Sequence, residues 1–194
     1  MRKIESEKPP WEVKPFGARA DASRVPRIGV SACLLGAQVR HDGGHKHAAV
    51  LTETLAPFVE WIPVCPEVEI GLGVPRDTLR LVGAPGTPRL VVERTGEDLT
   101  TRMGRFAAAR VIELARLGLD GYVLKSRSPS CGLFGVDVHA AGGDVAGAGR
   151  GLFAAALVDA LPALPVEEEG RLADPAILAD FLERAFARRR ARCS

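Results

Sequence analysis

Residues 122–132 read Tyr-Val-Leu-Lys-Ser-Arg-Ser-Pro-Ser-Cys-Gly (YVLKSRSPSCG). The first three are apolar and β-prone, and the other eight are polar, proline, cysteine or glycine. A short strand therefore runs straight into a loop carrying a lysine, an arginine, three serines and a cysteine. The same pattern occurs twice earlier. Residues 28–30 lead to Ser31-Ala32-Cys33-Leu34-Leu35-Gly36, and residues 61–64 lead to Cys65-Pro66-Glu67. Three strands that each end on a thiol bring three cysteines to one edge of a sheet.

Between and beyond these strands the periodicity turns helical. Val50, Leu51, Leu55, Phe58 and Val59 predict a helix over 48–59. Phe106, Ala109, Val111, Ile112, Leu114 and Ala115 supply the predicted buried side of a long helix over 99–117, with Gly118 as its stop. Further helices are predicted over 152–161 and over 175–190, the last opened by Pro175 with Asp174 as its cap. Residues 136–139 and 164–167 read as strands, and 90–93 as an edge strand or hairpin arm. The glycine-rich 68–75 segment is expected to wrap the strand ends, and 140–151, with five glycines, to be a mobile loop. Strands alternating with helices predict an α/β fold, a single-domain three-layer sandwich around a mainly parallel, Rossmann-like sheet. Ligands of such sheets bind beyond the carboxyl ends of the strands, where Cys33, Cys65 and Cys131 stand.

Composition narrows the partners. The 194 residues are 46% hydrophobic and 26% charged, enough for one core, with a formal charge of only +2. That balance argues against RNA, and the arginine cluster from Arg184 to Arg192 reads as a solvated helix face. Residues 1–26, with Pro9, Pro10, Pro15 and Pro26, read as an irregular arm pinned by Trp11 and Phe16. No apolar run reaches the roughly 18 residues of a membrane span, and none has the layout of a secretory leader. A cytoplasmic protein with small-molecule partners is expected.

In a reducing compartment scattered cysteines bind metal, react or simply pack. Three thiolates with no fourth suit an iron–sulfur cluster that leaves one iron open. Zinc is the rival: the chain has no Cys-x-x-Cys, but a catalytic zinc on these thiols with a histidine such as His45 stays open. Unrelated buried cysteines are the third reading. Polar and glycine-rich loops around each thiol, including Val39-Arg40-His41-Asp42-Gly43-Gly44-His45-Lys46, favour a binding site. Gly43-Gly44 speaks against a helix that would put His41 and His45 on one face, so no metal is assigned to them. Cys193, in the arginine-rich tail, reads as a free surface thiol.

These segments together carry a resemblance. The 31–36 and 39–46 stretches, Cys65-Pro66-Glu67 with 71–76, and Leu124-Lys125-Ser126-Arg127-Ser128-Pro129-Ser130-Cys131-Gly132 resemble, in this order, the TudS family of thiouracil desulfidases. The resemblance implies a [4Fe-4S] cluster held by Cys33, Cys65 and Cys131, with the fourth iron free for the sulfur of a thiolated nucleobase or nucleoside. It implies a desulfuration without net redox change, in which the open iron draws on the thiocarbonyl sulfur, water attacks the carbon and sulfide departs. It covers about 27–161, a cluster-binding domain that leaves the 1–26 arm and a 162–194 C-terminal extension with a helix outside it.

Water needs a base. Glu67, two residues after Cys65, is the candidate, because shielding beside a cluster raises a carboxylate's proton affinity; an ion pair to Arg40, Arg76 or Arg127 is the alternative. Ser128 and Ser130 are candidates to donate to the pyrimidine or pass a proton, and Ser31 shares the ambiguity of all serines at strand ends. Lys125 and Arg127 are candidates to contact substrate and to balance a thiolate-bound cluster, against surface ion pairs of little worth. Two other functions remain in play: a non-catalytic iron–sulfur sensor or carrier, which normally closes its cluster with four protein ligands, and a zinc hydrolase.

Overall fold

The computed structural model describes residues 25–193, so the arm expected over 1–26 lies outside the described residues except for its last two. In chain order the elements are β1 (Arg27–Ser31), β2 (Glu60–Val64), α1 (Pro66–Glu69), β3 (Leu79–Ala84), β4 (Thr87–Val92), α2 (Thr100–Leu117), β5 (Gly121–Leu124), β6 (Val136–His139), β7 (Val145–Gly149), α3 (Leu152–Ala160), β8 (Val166–Glu168) and α4 (Pro175–Cys193).

The first sheet is wholly parallel, with strand order β2-β1-β5-β8. The chain leaves β1 toward β2 and later returns to the opposite side of β1. The order therefore reverses between β1 and β5, and a crevice opens at their carboxyl ends. Side chains on a strand alternate between faces, and the buried strand β5 serves two cores. Tyr122 and Leu124 join Met103, Ala107, Val111 and Leu114 of α2 and Phe153, Ala154 and Leu157 of α3. Val123 points the other way, with Ile28 and Val30, toward Leu51, Leu55 and, from α4, Phe181 and Ala185. At the centre Gly29 pairs with Tyr122, and a Cβ at Gly29 would lie 2.2 Å from the tyrosine ring. Glycine there lets the ring lie across β1.

A second, mixed sheet has the order β4-β3-β6-β7, with β3 antiparallel to β4 and parallel to β6, and β6 antiparallel to β7. Leu81, Leu90, Val92, Val136 and Val138 turn its inner face into the same core as α2 and α3. The strands thus divide between two sheets, where one was expected. Strand β3 had no counterpart among the expected elements, and 90–93 proves to be the end of its hairpin partner. The stretch 140–151 is not a loop throughout, since it contains β7. Two of its glycines serve close approach instead of mobility: a Cβ at Gly147 would come within 2.8 Å of Pro85, and one at Gly149 within 3.1 Å of the Pro85 carbonyl.

The helix over 48–59 is replaced by a wide π-turn, Val50–Leu55, and a 3₁₀ turn, Ala56–Phe58. Pro57 has no N–H to give and its ring would clash with the carbonyl four residues back, so an α-helix does not run through it. Helix α2 has the expected span and stops at Gly118 in the left-handed region (φ 70°). Its buried face, however, is Met103, Ala107, Val111 and Leu114, whereas Ala109, Ile112 and Ala115 are exposed. Asp174 caps α4 as expected, its Oδ1 accepting the Ala176 N–H at 2.8 Å. No helix among the described residues is long and apolar enough to cross a membrane.

Candidate active site

Cys33, Cys65 and Cys131 open onto one cavity of ≈660 Å³ at the carboxyl ends of β1, β2 and β5. Cys33 rides on a single 3₁₀ turn, Ala32–Leu35, closed by Gly36 at φ 91°. The 37–46 loop returns to it, with the Lys46 N–H on the Cys33 carbonyl at 2.9 Å. Cys65 follows β2 directly and is the N-cap of α1. Cys131 closes the loop after β5. There Ser128 Oγ accepts the Ser130 and Cys131 N–H groups at 3.2 and 3.0 Å, which bends the loop into a hydroxyl-braced turn. The Pro129 and Ser130 carbonyls then accept the first N–H groups of α3, from Leu152, Phe153 and Ala154. These are donors that a helix cannot satisfy within itself. A Cβ at Gly151 would stand 2.5 Å from the Ser130 carbonyl carbon, so glycine lets helix and loop meet.

Burial keeps all three thiols protonated in the absence of a partner. It pushes Cys33 up to about 12, helped by the neighbouring Cys65 and opposed by Lys125 and Arg40. It pushes Cys65 up to about 11, against a hydrogen bond from the Val68 N–H. Cys131 is pushed well above the ordinary thiol value, with the Ser31 hydroxyl opposing and both other cysteines reinforcing. Three buried or half-buried thiols on one cavity become thiolates most readily where a positively charged group meets them, as a metal does. Three cysteine thiols with no fourth, opening onto one cavity, are a donor set that fits an iron–sulfur cluster with one iron left open. Cys193 is exposed at the end of α4.

Glu67 lines the cavity and takes the ion pair that was its alternative reading, with Arg76 as the partner. Arg76 Nε and Nη2 donate to Oε2 at 2.9 and 2.6 Å, with only 6% and 16% of the two side chains exposed. Arg76 also holds the Val39 and Gly73 carbonyls at 2.9 Å, so it ties the loops on both sides of the cavity to Glu67. The other carboxylate oxygen, Oε1, accepts the Ser130 hydroxyl at 2.9 Å. Ser130 is fully buried and lies behind the cavity lining, whereas Ser128 is part of it. Ser31 Oγ accepts the Lys125 N–H at 3.0 Å and so links β1 to the β5 loop.

The two basic candidates part company. All three Lys125 ammonium hydrogens are committed, to the Ser126 carbonyl and hydroxyl at 2.9 and 3.0 Å and to Glu169 at 2.6 Å. Arg127 is exposed, has no hydrogen-bond or ion-pair partner among the described residues, and sits at φ 57°. It lines both the cysteine cavity and a neighbouring one of ≈620 Å³ that also contains Arg80, His139 and Arg171. His41 and His47 line the cysteine cavity and His45 does not.

Three carboxylates went unnoticed in the sequence. Glu169 Oε2 accepts the Ser126 N–H at 2.7 Å, in addition to its bond to Lys125. Glu168, buried, accepts the Leu133 and Phe134 N–H groups just past Cys131 at 2.8 and 3.2 Å. Glu69 accepts the Cys65 N–H at 2.9 Å. Burial raises the Glu69 carboxyl, while Arg110 and the Cys65 amide pull it back down. For Glu168 and Glu169 the signal was available: the strand expected over 164–167 is β8 (Val166–Glu168), which runs parallel to β5 and ends at the edge where the cysteines stand.

The chain is 31% identical over 108 residues to the uncharacterized protein YbbK of Bacillus subtilis (strain 168), covering 53% of this chain and 71% of that one. The solved structure of the [4Fe-4S]-dependent thiouracil desulfidase TudS superposes with a TM-score of 0.62 at 31% identity, over 80% of this chain and 98% of that one. The model of the 2-thiouracil desulfurase family matches residues 28–169, which include all three cavity cysteines and Glu67, Glu69, Glu168 and Glu169. With β1 from Ile28 onward, the cysteine loops and the Glu168–Glu169 strand end inside that match, the chain is a member of the 2-thiouracil desulfurase family.

Proposed function

We propose that this protein removes sulfur from thiolated pyrimidines, thiouracil to uracil plus sulfide, at a [4Fe-4S] cluster held by Cys33, Cys65 and Cys131. The observation that carries the proposal is the meeting of three thiols from three parallel strand ends in one cavity beside Glu67. The likeness to TudS supports the cofactor and the substrate class. Bound in this cradle, a cluster with three protein thiolates supplies one iron without a protein ligand, a Lewis acid for a sulfur atom.

The reaction is an exchange without net redox change. The oxygen of water ends on the pyrimidine carbon, sulfur leaves as hydrosulfide, and no electrons are gained or lost. Glu67 is the proton acceptor for that water. Arg76 occupies Oε2, so Oε1 is left for the proton, and the Ser130 hydroxyl on the same oxygen steadies it. The Ser128 hydroxyl hydrogen and the Arg127 guanidinium are among the donors that line the cavity for a free base or nucleoside, and Ser31 braces the Cys131 side. Lys125 adds positive charge near the thiols without a donor to spare.

We further read the first sheet and its two helical layers as a Rossmann-like single domain of a cytoplasmic protein. In this reading 27–161 is the cluster-binding body, and 162–194 is an extension whose β8 completes the sheet. Anaerobic reconstitution tests the cofactor. Wild-type protein is expected to take up about four irons and four sulfides per chain and turn brown; Cys33→Ala, Cys65→Ala and Cys131→Ala lose both the colour and activity, and Cys193→Ala keeps both. A colourless wild type without iron would sink the proposal.

A further inference from the structure

Glu69 and Arg110 form a buttress behind the cluster cradle that no part of the reaction described above requires. Cys65 follows β2 and caps a helix of only four residues, and its own N–H takes a side-chain acceptor. Glu69 supplies one. The Cys65 N–H donates to Glu69 Oε1 at 2.9 Å, while the Glu69 N–H donates to the Cys65 carbonyl at 2.9 Å. The two residues close a ring of one backbone and one side-chain hydrogen bond, in the manner of a capping box. The outer oxygen, Oε2, stands 3.1 Å from Arg110 Nε on α2, and Arg110 Nη1 also donates to Glu113 at 2.9 Å. Both side chains of the Glu69–Arg110 pair are 21% exposed, so solvent screens the pair only in part.

We infer that Glu69 is a positioning residue for Cys65, fastening its backbone to α2 and, together with Arg110, setting the charge felt at the cluster. The inference rests on the proposal that Cys65 is a cluster ligand. Its logic is that of any metal site, in which groups hydrogen-bonded to a ligand's surroundings fix its aim and tune the redox potential. Reduction adds an electron to the cluster, so a nearby negative charge opposes it and a positive charge favours it. The Glu69 carboxylate and the Arg110 guanidinium therefore push the potential in opposite directions. The Glu69 side chain also carries a second, separable task, because an amide oxygen at that place still accepts the Cys65 N–H.

Three reconstituted variants, Glu69→Gln, Glu69→Ala and Arg110→Gln, separate these tasks from a general loss of packing. Loss of the cluster to an iron chelator and the cluster's midpoint potential by anaerobic titration are the readouts. Glu69→Ala is expected to lose its cluster about 10-fold faster than wild type, and Glu69→Gln to stay within about 2-fold of it. The potential is expected to rise in Glu69→Gln and to fall in Arg110→Gln. Wild type that loads normally, with variants equal to it in both readouts or with potentials that move in the same direction, overturns this inference alone. Wild type that takes up no iron overturns the cluster proposal and this inference with it.

Discussion

Lys125 and Arg127 stand two residues apart in one loop, and their surroundings give them different work. Lys125 spends its three hydrogens inside the protein, 18% exposed beside a Glu169 side chain that is 14% exposed. Removing Glu169 leaves a half-buried ammonium without its counter-ion. Glu169→Ala is expected to cost about 2 kcal/mol in chemical denaturation, because the pair lies between a surface and a buried one. Arg127 holds nothing in place, so Arg127→Ala is expected to leave the melting temperature unchanged and to raise KM about 10-fold with little change in kcat, the signature of lost substrate binding. Glu67 is the proposed proton acceptor. Glu67→Gln is expected to lower kcat by about 10²-fold or more while iron content stays at the wild-type level, measured on the same preparation. That Cys33, Cys65 and Cys131 would share one cavity with Glu67 was legible, because each cysteine lies in the segment that leaves a short apolar strand and Glu67 stands two residues after Cys65. Which arginine would pair with Glu67 was not, since that choice depends on how the 70–76 segment folds back over the cavity.

At the scale of elements, the strands that carry the cysteines were readable and the second sheet was not. A run such as 122–124 is apolar on both faces, and it packs two cores at once. β3 contains arginine and glycine, and β7 is mostly glycine and alanine, so neither has the alternation that marks a strand. They are held by pairing across the sheet and by close backbone approach to Pro85, which local patterns do not record. Helix α2 shows the same limit in another form: its length was clear, but an alanine-rich sequence left the buried face ambiguous. Where glycine has a steric reason, the cost of replacing it is large. Gly29→Ala drives a methyl into the Tyr122 ring, and a loss of about 1–3 kcal/mol is expected, seen as a melting temperature lower by about 2–4 °C for each kcal/mol.

Across the whole molecule, the cavity exists because strand order reverses between β1 and β5 and every loop there is fastened from behind. α3 takes the carbonyls of the Cys131 loop, β8 ends in the carboxylates that hold its neighbours, and α1 is tied to α2 through Glu69. α4 closes the opposite face and is anchored at the fully buried Asp120, which accepts the Arg27 N–H at 2.9 Å and pairs with Arg192 at 3.1 Å. The arginines of the C-terminal helix thus have in part a structural task at the far end of the sheet, where sequence alone suggested only a solvated face. The central claim concerns the other end. Anaerobically reconstituted protein incubated with 2-thiouracil or 4-thiouracil, with no reductant added, should release one sulfide for each uracil formed, with both rising linearly over many turnovers. A fully loaded cluster that yields neither uracil nor sulfide from either base would contradict it.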